Sequence, residues 1–265
     1  MVLIKRQSLA EIILRDKVMN KILIGTLLLS SSSVLAQSCP VDVPHPIHID
    51  KGNISVYEQG KPKLLIDKNN EVYINGEKID LTAMQQKAVE AYSHNVQTYL
   101  PQMAQLAQEG VGMATDVLGE VANSFDSQDA FKNVETLIAQ FGQQANEKFY
   151  NQQGEFVMPA DVFSNMDTNW KTEFESAMKQ VSVQSIASLF AALSDEMKNG
   201  DVDFTQLQSK FSELKARLGE QMAQRSQQMK VKADSLCGSI EGLAEQEKQL
   251  QQVIPQLKGI PMFEI

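Results

Sequence analysis

The side chains that most often carry enzymatic chemistry are scarce in this sequence. Its 265 residues include 3 histidines, 2 cysteines and 1 tryptophan. Several signature motifs are absent: the G-x-S-x-G nucleophile elbow, the H-E-x-x-H zinc helix and the G-x-x-x-x-G-K phosphate loop. The motifs therefore indicate no reaction, and we predict no catalytic residues.

Positive charge is also in short supply. The chain has 24 Lys and Arg against 33 Asp and Glu, for a formal net charge of −9. The first 36 residues hold five basic and two acidic side chains, so the remainder carries a net charge of −12. A nucleic-acid-binding protein needs a basic stripe that displaces phosphate counterions. We therefore predict no nucleic-acid partner.

Long apolar runs are missing as well, since a bilayer-spanning helix needs about 20 apolar residues. The apolar segment at residues 22–29 is much shorter. It follows a lysine and precedes a serine stretch that ends in Val34-Leu35-Ala36, which is the layout of a secretory signal peptide. We predict a signal peptide over residues 1–36, cleavage between Ala36 and Gln37, and no membrane span in the mature chain. The alternative is a buried or membrane-anchoring N-terminal helix.

The signal peptide also bears on where translation starts. Eighteen residues precede Met19, and they mix basic with acidic side chains. Met19 is followed by Asn20 and then by Lys21, which supplies the basic start of a signal peptide. We expect translation to begin at Met19.

The two cysteines, Cys39 and Cys237, both remain after this cleavage. An exported protein meets an oxidising environment, so we expect a Cys39–Cys237 disulfide. One alternative is a lipoprotein with an acylated Cys39, although Ala36-Gln37-Ser38 is a poor lipobox. The other is a pair of free or metal-bound thiols.

Residues 37–81 alternate between apolar and polar side chains, and each run ends in Gly, Pro, Asn or Asp. This period of two predicts four or five short antiparallel strands. Asn75-Gly76 favours a two-residue hairpin, because a type I′ turn needs positive φ at both positions. Residues 37–81 are therefore predicted to form a β-meander.

The pattern becomes helical at Thr82, where Thr82 to Gln85 matches a capping box. We predict helices near 82–98, 101–123, 128–149, 165–180, 182–198 and 204–257, the last either continuous or broken near Gly238. Residues 153–163 interrupt this pattern and form either a loop or one added strand. The predicted fold is α+β: a short N-terminal antiparallel β-meander, then a predominantly helical body over 82–265 in the same structural unit. Its C-terminal part is a long amphipathic helix or a helical hairpin.

The final helical stretch carries a regular apolar stripe, with residues spaced mostly three, four or seven apart. Its first half is the candidate interaction stripe, formed by Leu207, Phe211, Leu214, Leu218, Met222 and Met229. The stripe either packs against the helices between 82 and 198 or forms an intermolecular coiled coil. Arg225 and Glu247 fall on or near the seam, which makes it imperfect as a zipper.

His45 and His48 form the one close histidine pair, with Cys39 upstream. Two imidazoles and a thiolate are ligands that zinc or copper accepts. In an extended segment, however, side chains three apart point to opposite faces, and Cys39 is expected in a disulfide. We therefore predict no metal and no other cofactor.

Several stretches resemble the YggN-type family of exported bacterial proteins, a domain of unknown function. They are Cys39 at the head of the β segment and residues 73–92, 99–114 and 233–257. The resemblance implies a Gram-negative periplasmic setting and supports the pairing of the two cysteines. It implies no catalytic residue.

Together these observations predict a non-enzymatic periplasmic binding or interaction protein of the cell envelope. We expect a protein partner in the envelope, or self-association through the C-terminal helix. The alternatives are an envelope enzyme that uses carboxylates assembled by the fold, and a small-molecule or metal carrier.

Overall fold

A computed structural model describes residues 39–124, 128–165 and 204–265, together with Thr172, Ser176, Lys179 and Gln180. The predicted signal peptide and its cleavage site at Ala36 and Gln37 lie outside the described residues. So do most of the predicted helix at 165–180 and all of the one at 182–198.

The N-terminal part forms an antiparallel sheet of six strands. They are β1 (Ile47–Asp50), β2 (Asn53–Glu58), β3 (Lys61–Ile66), β4 (Val72–Ile74), β5 (Glu77–Lys78) and β6 (Phe156–Met158). The first five follow one another as a meander, and β6 pairs with the other edge of β1, giving the order β5-β4-β3-β2-β1-β6. The predicted meander is confirmed, and the interruption at 153–163 contains an added strand.

Three of the strand connections are two-residue turns with positive φ at both positions. They are Lys51-Gly52 (48° and 86°), Gln59-Gly60 (50° and 75°) and Asn75-Gly76 (52° and 84°). Positive φ at both central residues defines the type I′ turn, whose twist matches that of the strands it joins. The hairpin predicted at Asn75-Gly76 is confirmed, and the same geometry recurs at two less typical sequences.

Helices make up most of the remaining described chain. They are α1 (Ala83–Tyr99), α2 (Gln102–Ser124), α3 (Lys132–Phe149), α4 (Val162–Asn165) and α5 (Phe204–Val253). Short 3₁₀ helices precede α3 at Gln128–Phe131 and follow α5 at Pro255–Gly259. The predicted capping box is present, because the Thr82 side chain accepts from the Gln85 N–H and the Gln85 side chain accepts from the Thr82 N–H. No helix in the described ranges has the length and apolarity that crossing a membrane requires.

Helix α5 is 50 residues long and continues through Gly238, so of the two alternatives the long continuous helix is the one formed. A glycine in a helix costs about 1 kcal/mol relative to alanine. Leu236 and Ile240 on either side are buried in the core, and their burial outweighs that cost. The helix ends at Val253, just before Pro255, which has no N–H to donate.

The sheet, α1 and the second half of α5 share one apolar core. Ile54 and Ile66 of the sheet, Val96 of α1, and Ile240 and Leu243 of α5 are all buried within it. Helix α5 runs antiparallel to α1, since the Gln85 side chain donates to the Val253 carbonyl and Asn95 donates to Gln246. One face of the sheet is thus covered by helices.

Helix α2 packs against both α3 and the first half of α5. We call α2, α3 and residues 204–235 of α5 the three-helix layer. Buried apolar residues outside the main core are Ala122, Val134, Ile138, Ala145 and Leu214 of the layer, together with Phe131 of the 3₁₀ helix before α3. The layer therefore has a small apolar centre of its own.

Helices α2 and α3 are in close contact at Gly142. A Cβ built on Gly142 would lie 2.9 Å from Val111 Cγ1, whereas one built on Gly112 would have no atom within 4 Å. Valine in a helix has one strongly preferred rotamer, so its methyl group cannot easily move aside.

We predict that Gly142→Ala and Gly112→Ala change stability in opposite directions. Gly112→Ala should raise the free energy of unfolding by roughly 0.5–1 kcal/mol through helix propensity. Gly142→Ala should lower it, because overpacking of this kind costs about 1–3 kcal/mol. Urea unfolding of both variants measures the difference, and equal stabilisation by the two would contradict the close approach of α2 and α3.

Candidate functional site

A disulfide links the start of the described chain, at Cys39, to the long helix α5. Cys39 and Cys237 form a disulfide, with their Cα atoms 5.6 Å apart and 198 positions between them in the sequence. The predicted pairing is confirmed. In the chain-entropy model, closing a loop of this length stabilises the folded state by up to about 5 kcal/mol.

The C-terminal segment is attached beside it. The Asp42 N–H donates to the Glu264 carbonyl at 2.7 Å, and the Glu264 N–H donates to the Asp42 carbonyl at 2.9 Å. Val41 and Val43 on one side of this pair, and Met262 and Phe263 on the other, contribute buried side chains. The first and last described segments thus form a short antiparallel pair against α5.

Glu247 of α5 binds the backbone of the C-terminal segment. Its carboxylate accepts the backbone N–H groups of Met262 at 2.8 Å and Phe263 at 2.9 Å, one on each oxygen. The side chain is only 3% exposed, and this burial raises its pKa to about 7 despite those hydrogen bonds. These hydrogen bonds explain why a glutamate stands on the apolar stripe of α5: it satisfies two backbone N–H donors that the fold buries.

Tyr92 of α1 completes this attachment. Its hydroxyl donates to Met262 Sδ at 3.4 Å, and burial together with the nearby Glu247 charge raises its pKa well above the ordinary value. Glu247 and Tyr92 are both closed off from solvent. Their arrangement anchors the C-terminal segment rather than presenting an acid or base to a substrate.

The apolar stripe of α5 behaves differently on the two sides of Cys237. After Cys237 its members Ile240, Leu243 and Leu250 are buried, and so is Ile254, which directly follows the helix. Before Cys237, Leu214 is buried, Leu218, Met222 and Met229 are half-buried, and Phe211 is 38% exposed. Leu207 lies in the first turn of α5, and its side chain is outside the described residues. The stripe packs within the chain, against α1 and α2, and its first half keeps a partly open apolar surface.

A row of ion pairs joins the first half of α5 to α2. Helix α2 contains three acidic residues and no Lys or Arg, and each acid faces a cation of α5. The pairs are Glu109–Lys232 at 2.6 Å, Asp116–Arg225 at 2.6 Å and Glu120–Arg217 at 3.8 Å. The first two lie seven residues apart on both helices, as antiparallel packing requires. The pairs are largely exposed, so each contributes at most about 1 kcal/mol and mainly sets the register of the two helices.

An open groove of about 530 Å³ lies at this interface. Thr115, Asp116, Gly119, Glu120 and Arg217 are among the residues that line it. Its charged side chains are those that already pair across the interface. The groove therefore belongs to the α2–α5 contact.

His45 and His48 occupy separate environments. His48 Nδ1 lies 3.0 Å from Glu155 Oε1, and its ring lies 4.3 Å from that of Tyr57. His48 belongs to a row that crosses the sheet on the face opposite the core: Val157, His48, Ser55, Leu65, Tyr73 and Lys78. His45 precedes β1, and no group of three metal-binding side chains in the described ranges includes either histidine.

Such a group does occur at the disulfide, where Cys39, Cys237 and Glu241 have their ligand atoms within 4.8 Å of one another. Sequence reasoning did not select Glu241, Glu247 or Glu155. Glu247 could have been identified from the sequence, because it is an acid on the apolar stripe. Glu241 could also have been identified, because it stands four residues after Cys237 and hence on the same helix face. Glu155 could not, because its contact with His48 spans 107 positions.

A family model with the description "Protein of unknown function (DUF2884)" matches residues 39–263. No curated protein and no solved structure matches the chain. The expected resemblance to a family of unknown function is confirmed, although the YggN-type name is not part of that description. The matched range includes Cys39, Cys237 and Glu247.

We predict that stability falls as the pH rises through the range in which Glu247 ionises. Its folded-state pKa of about 7 exceeds the ordinary glutamate pKa of 4.5, so in this range the folded state keeps a proton that the unfolded state has lost. Raising the pH across this window should lower the free energy of unfolding by up to about 3 kcal/mol. Urea unfolding at about pH 5 and about pH 8 measures this difference.

Glu247→Gln should remove this contribution, since it cannot ionise. Glu245→Gln is the matched control, because Glu245 is exposed on the same helix. The groups near Glu247 are Tyr92, whose pKa is raised well above 10.0, and Glu264. An unchanged pH dependence in Glu247→Gln would refute the assignment.

Proposed function

The chain belongs to the DUF2884 family of proteins of unknown function, and we propose that it is a non-enzymatic binding protein of the Gram-negative periplasm. In this proposal, it contacts a protein partner of the cell envelope through the first half of α5. The observation that carries the proposal is a contrast along the apolar stripe of α5. Its residues after Cys237 are buried, whereas Leu218, Met222 and Met229 before it are only half-buried.

The proposed location is supported by the signal-peptide pattern and by the disulfide. Disulfides persist in oxidising compartments and are rare in the cytosol. The acidic charge balance of the chain favours solubility. These features suit an exported protein that is not held to an anionic surface by charge.

The proposed mode of binding is supported by the way α5 is held. The disulfide and the apolar core immobilise its second half, and the ion pairs with α2 orient its first half. A helix fixed in this way presents its half-open apolar residues at little further cost in conformational entropy. Met222 and Met229 suit such a surface, because unbranched thioether side chains adapt to different partners.

The location is tested by the intact mass of the protein isolated from its native envelope without reductant. We expect a chain that begins at Gln37 and gains two hydrogens on reduction. A chain that begins at an acylated Cys39 would contradict the proposed soluble state.

The binding surface is tested with cross-linking pull-downs from envelope extract. Met222→Gln should lose the partners that the wild-type chain enriches, because it replaces the thioether with a polar group of similar size. Val231→Gln is the matched control. Val231 lies nine residues after Met222 in α5, which places it on the opposite side of the helix, and it is 57% exposed.

Val231→Gln and the apolar replacement Met222→Leu should both retain the partners, and thermal unfolding should show that all three variants fold. Recovery of the chain alone, lost only in Met222→Gln, would indicate self-association through this surface. Enrichment of no protein, or unchanged enrichment by Met222→Gln, would refute the proposed surface.

A further inference from the structure

The disulfide lies beside the carboxylate of Glu241. Glu241 Oε1 is 3.5 Å from Cys237 Sγ, and the two residues are four apart on α5. Together with Cys39 they bring two sulfurs and one carboxylate oxygen within 4.8 Å of one another, all on half-buried residues. Thiolate sulfur and carboxylate oxygen are both ligands that zinc accepts.

The distances fit tetrahedral coordination once the two sulfurs separate. Zinc binds sulfur at about 2.3 Å and carboxylate oxygen at about 2.0 Å, so adjacent S and O ligands lie about 3.5 Å apart and two sulfurs about 3.8 Å apart. The Cys237–Glu241 distance already has this value. The two sulfurs are bonded to each other in the disulfide and need to move apart to reach that geometry.

The segments that carry the two cysteines are held by contacts other than the disulfide. Val41 and Val43 are buried, and Asp42 exchanges two backbone hydrogen bonds with Glu264. On the other side, Leu236 and Ile240 fix the turn of α5 that contains Cys237. Two free thiols would therefore remain close together after the bond between them is broken.

We propose that reduction of the Cys39–Cys237 disulfide converts this cluster into a zinc site, with Cys39, Cys237 and Glu241 as protein ligands and water as the fourth. A dithiol supplies two electrons and two protons, becomes a disulfide itself and leaves two protein thiols. Zinc binding then releases the two thiol protons, because the metal is held by thiolates.

The chemistry of the site determines which cation it takes. Soft sulfur donors favour zinc or copper(I) over magnesium and calcium, which prefer oxygen ligands. Zinc is held by thiolates and not by a disulfide, so the metal and the reduced state stabilise each other.

The experiment adds Co²⁺, a spectroscopic substitute for zinc, to the full chain after reduction with a dithiol and its removal by desalting. We expect one Co²⁺ per reduced chain, with thiolate-to-metal charge-transfer absorption that Zn²⁺ abolishes by displacement. The oxidised chain should give no such absorption. Circular dichroism before and after metal addition reports whether the reduced chain is folded.

Glu241→Gln should weaken binding by at least about tenfold, since even outer-shell changes at metal sites cost this much. Glu245→Gln, one turn further along α5, should bind as the wild type does, and Cys39→Ser should not bind. Absence of the charge-transfer absorption in the reduced wild-type chain would overturn the proposal. Equal affinity in Glu241→Gln and wild type would also overturn it. That result would mean that the metal binds through the two thiols alone, as it could in an unfolded chain, and that Glu241 is not a ligand.

Discussion

The structure depends on the attachment of both described chain ends to the second half of α5. The Cys39–Cys237 disulfide fixes the first segment, and the two N–H groups that Glu247 accepts fix the last. The Asp42–Glu264 backbone pair joins the two segments to each other. The sheet and α1 pack against the same stretch of helix, so loosening α5 here would expose the main core. A single helix therefore organises elements that are far apart in the chain.

The two halves of α5 are stabilised by different forces. The second half is held by apolar burial, in which Ile240, Leu243 and Leu250 lose almost all contact with solvent. The first half is oriented by ion pairs with α2 and keeps several apolar side chains only half-buried. Burial provides most of the stability, whereas exposed ion pairs provide specificity of register at small energetic gain. The proposed binding surface lies on the half where stabilisation by burial is weaker.

The proposals for binding and for the reduced metal site concern different parts of the molecule. The binding surface consists of apolar residues before Cys237, and the metal site consists of Cys39, Cys237 and Glu241. They share α5 as a support, because the helix places Met222 and Met229 on the stripe and Cys237 and Glu241 one turn apart. A rigid helix positions side chains more accurately than a loop does, which suits both roles.

The sequence by itself determined the local elements, because strand period, turn chemistry and helix caps depend on neighbouring residues. Asn75-Gly76, the Thr82 capping box and the extent of α1 and α2 could all be predicted for this reason. The Cys39–Cys237 pairing could be predicted because the chain has no third cysteine. Tertiary structure alone decided the continuity of α5 through Gly238, the pairing of β6 with β1, and the role of Glu247. Each of these depends on burial or on contacts between distant residues, which a local pattern does not record.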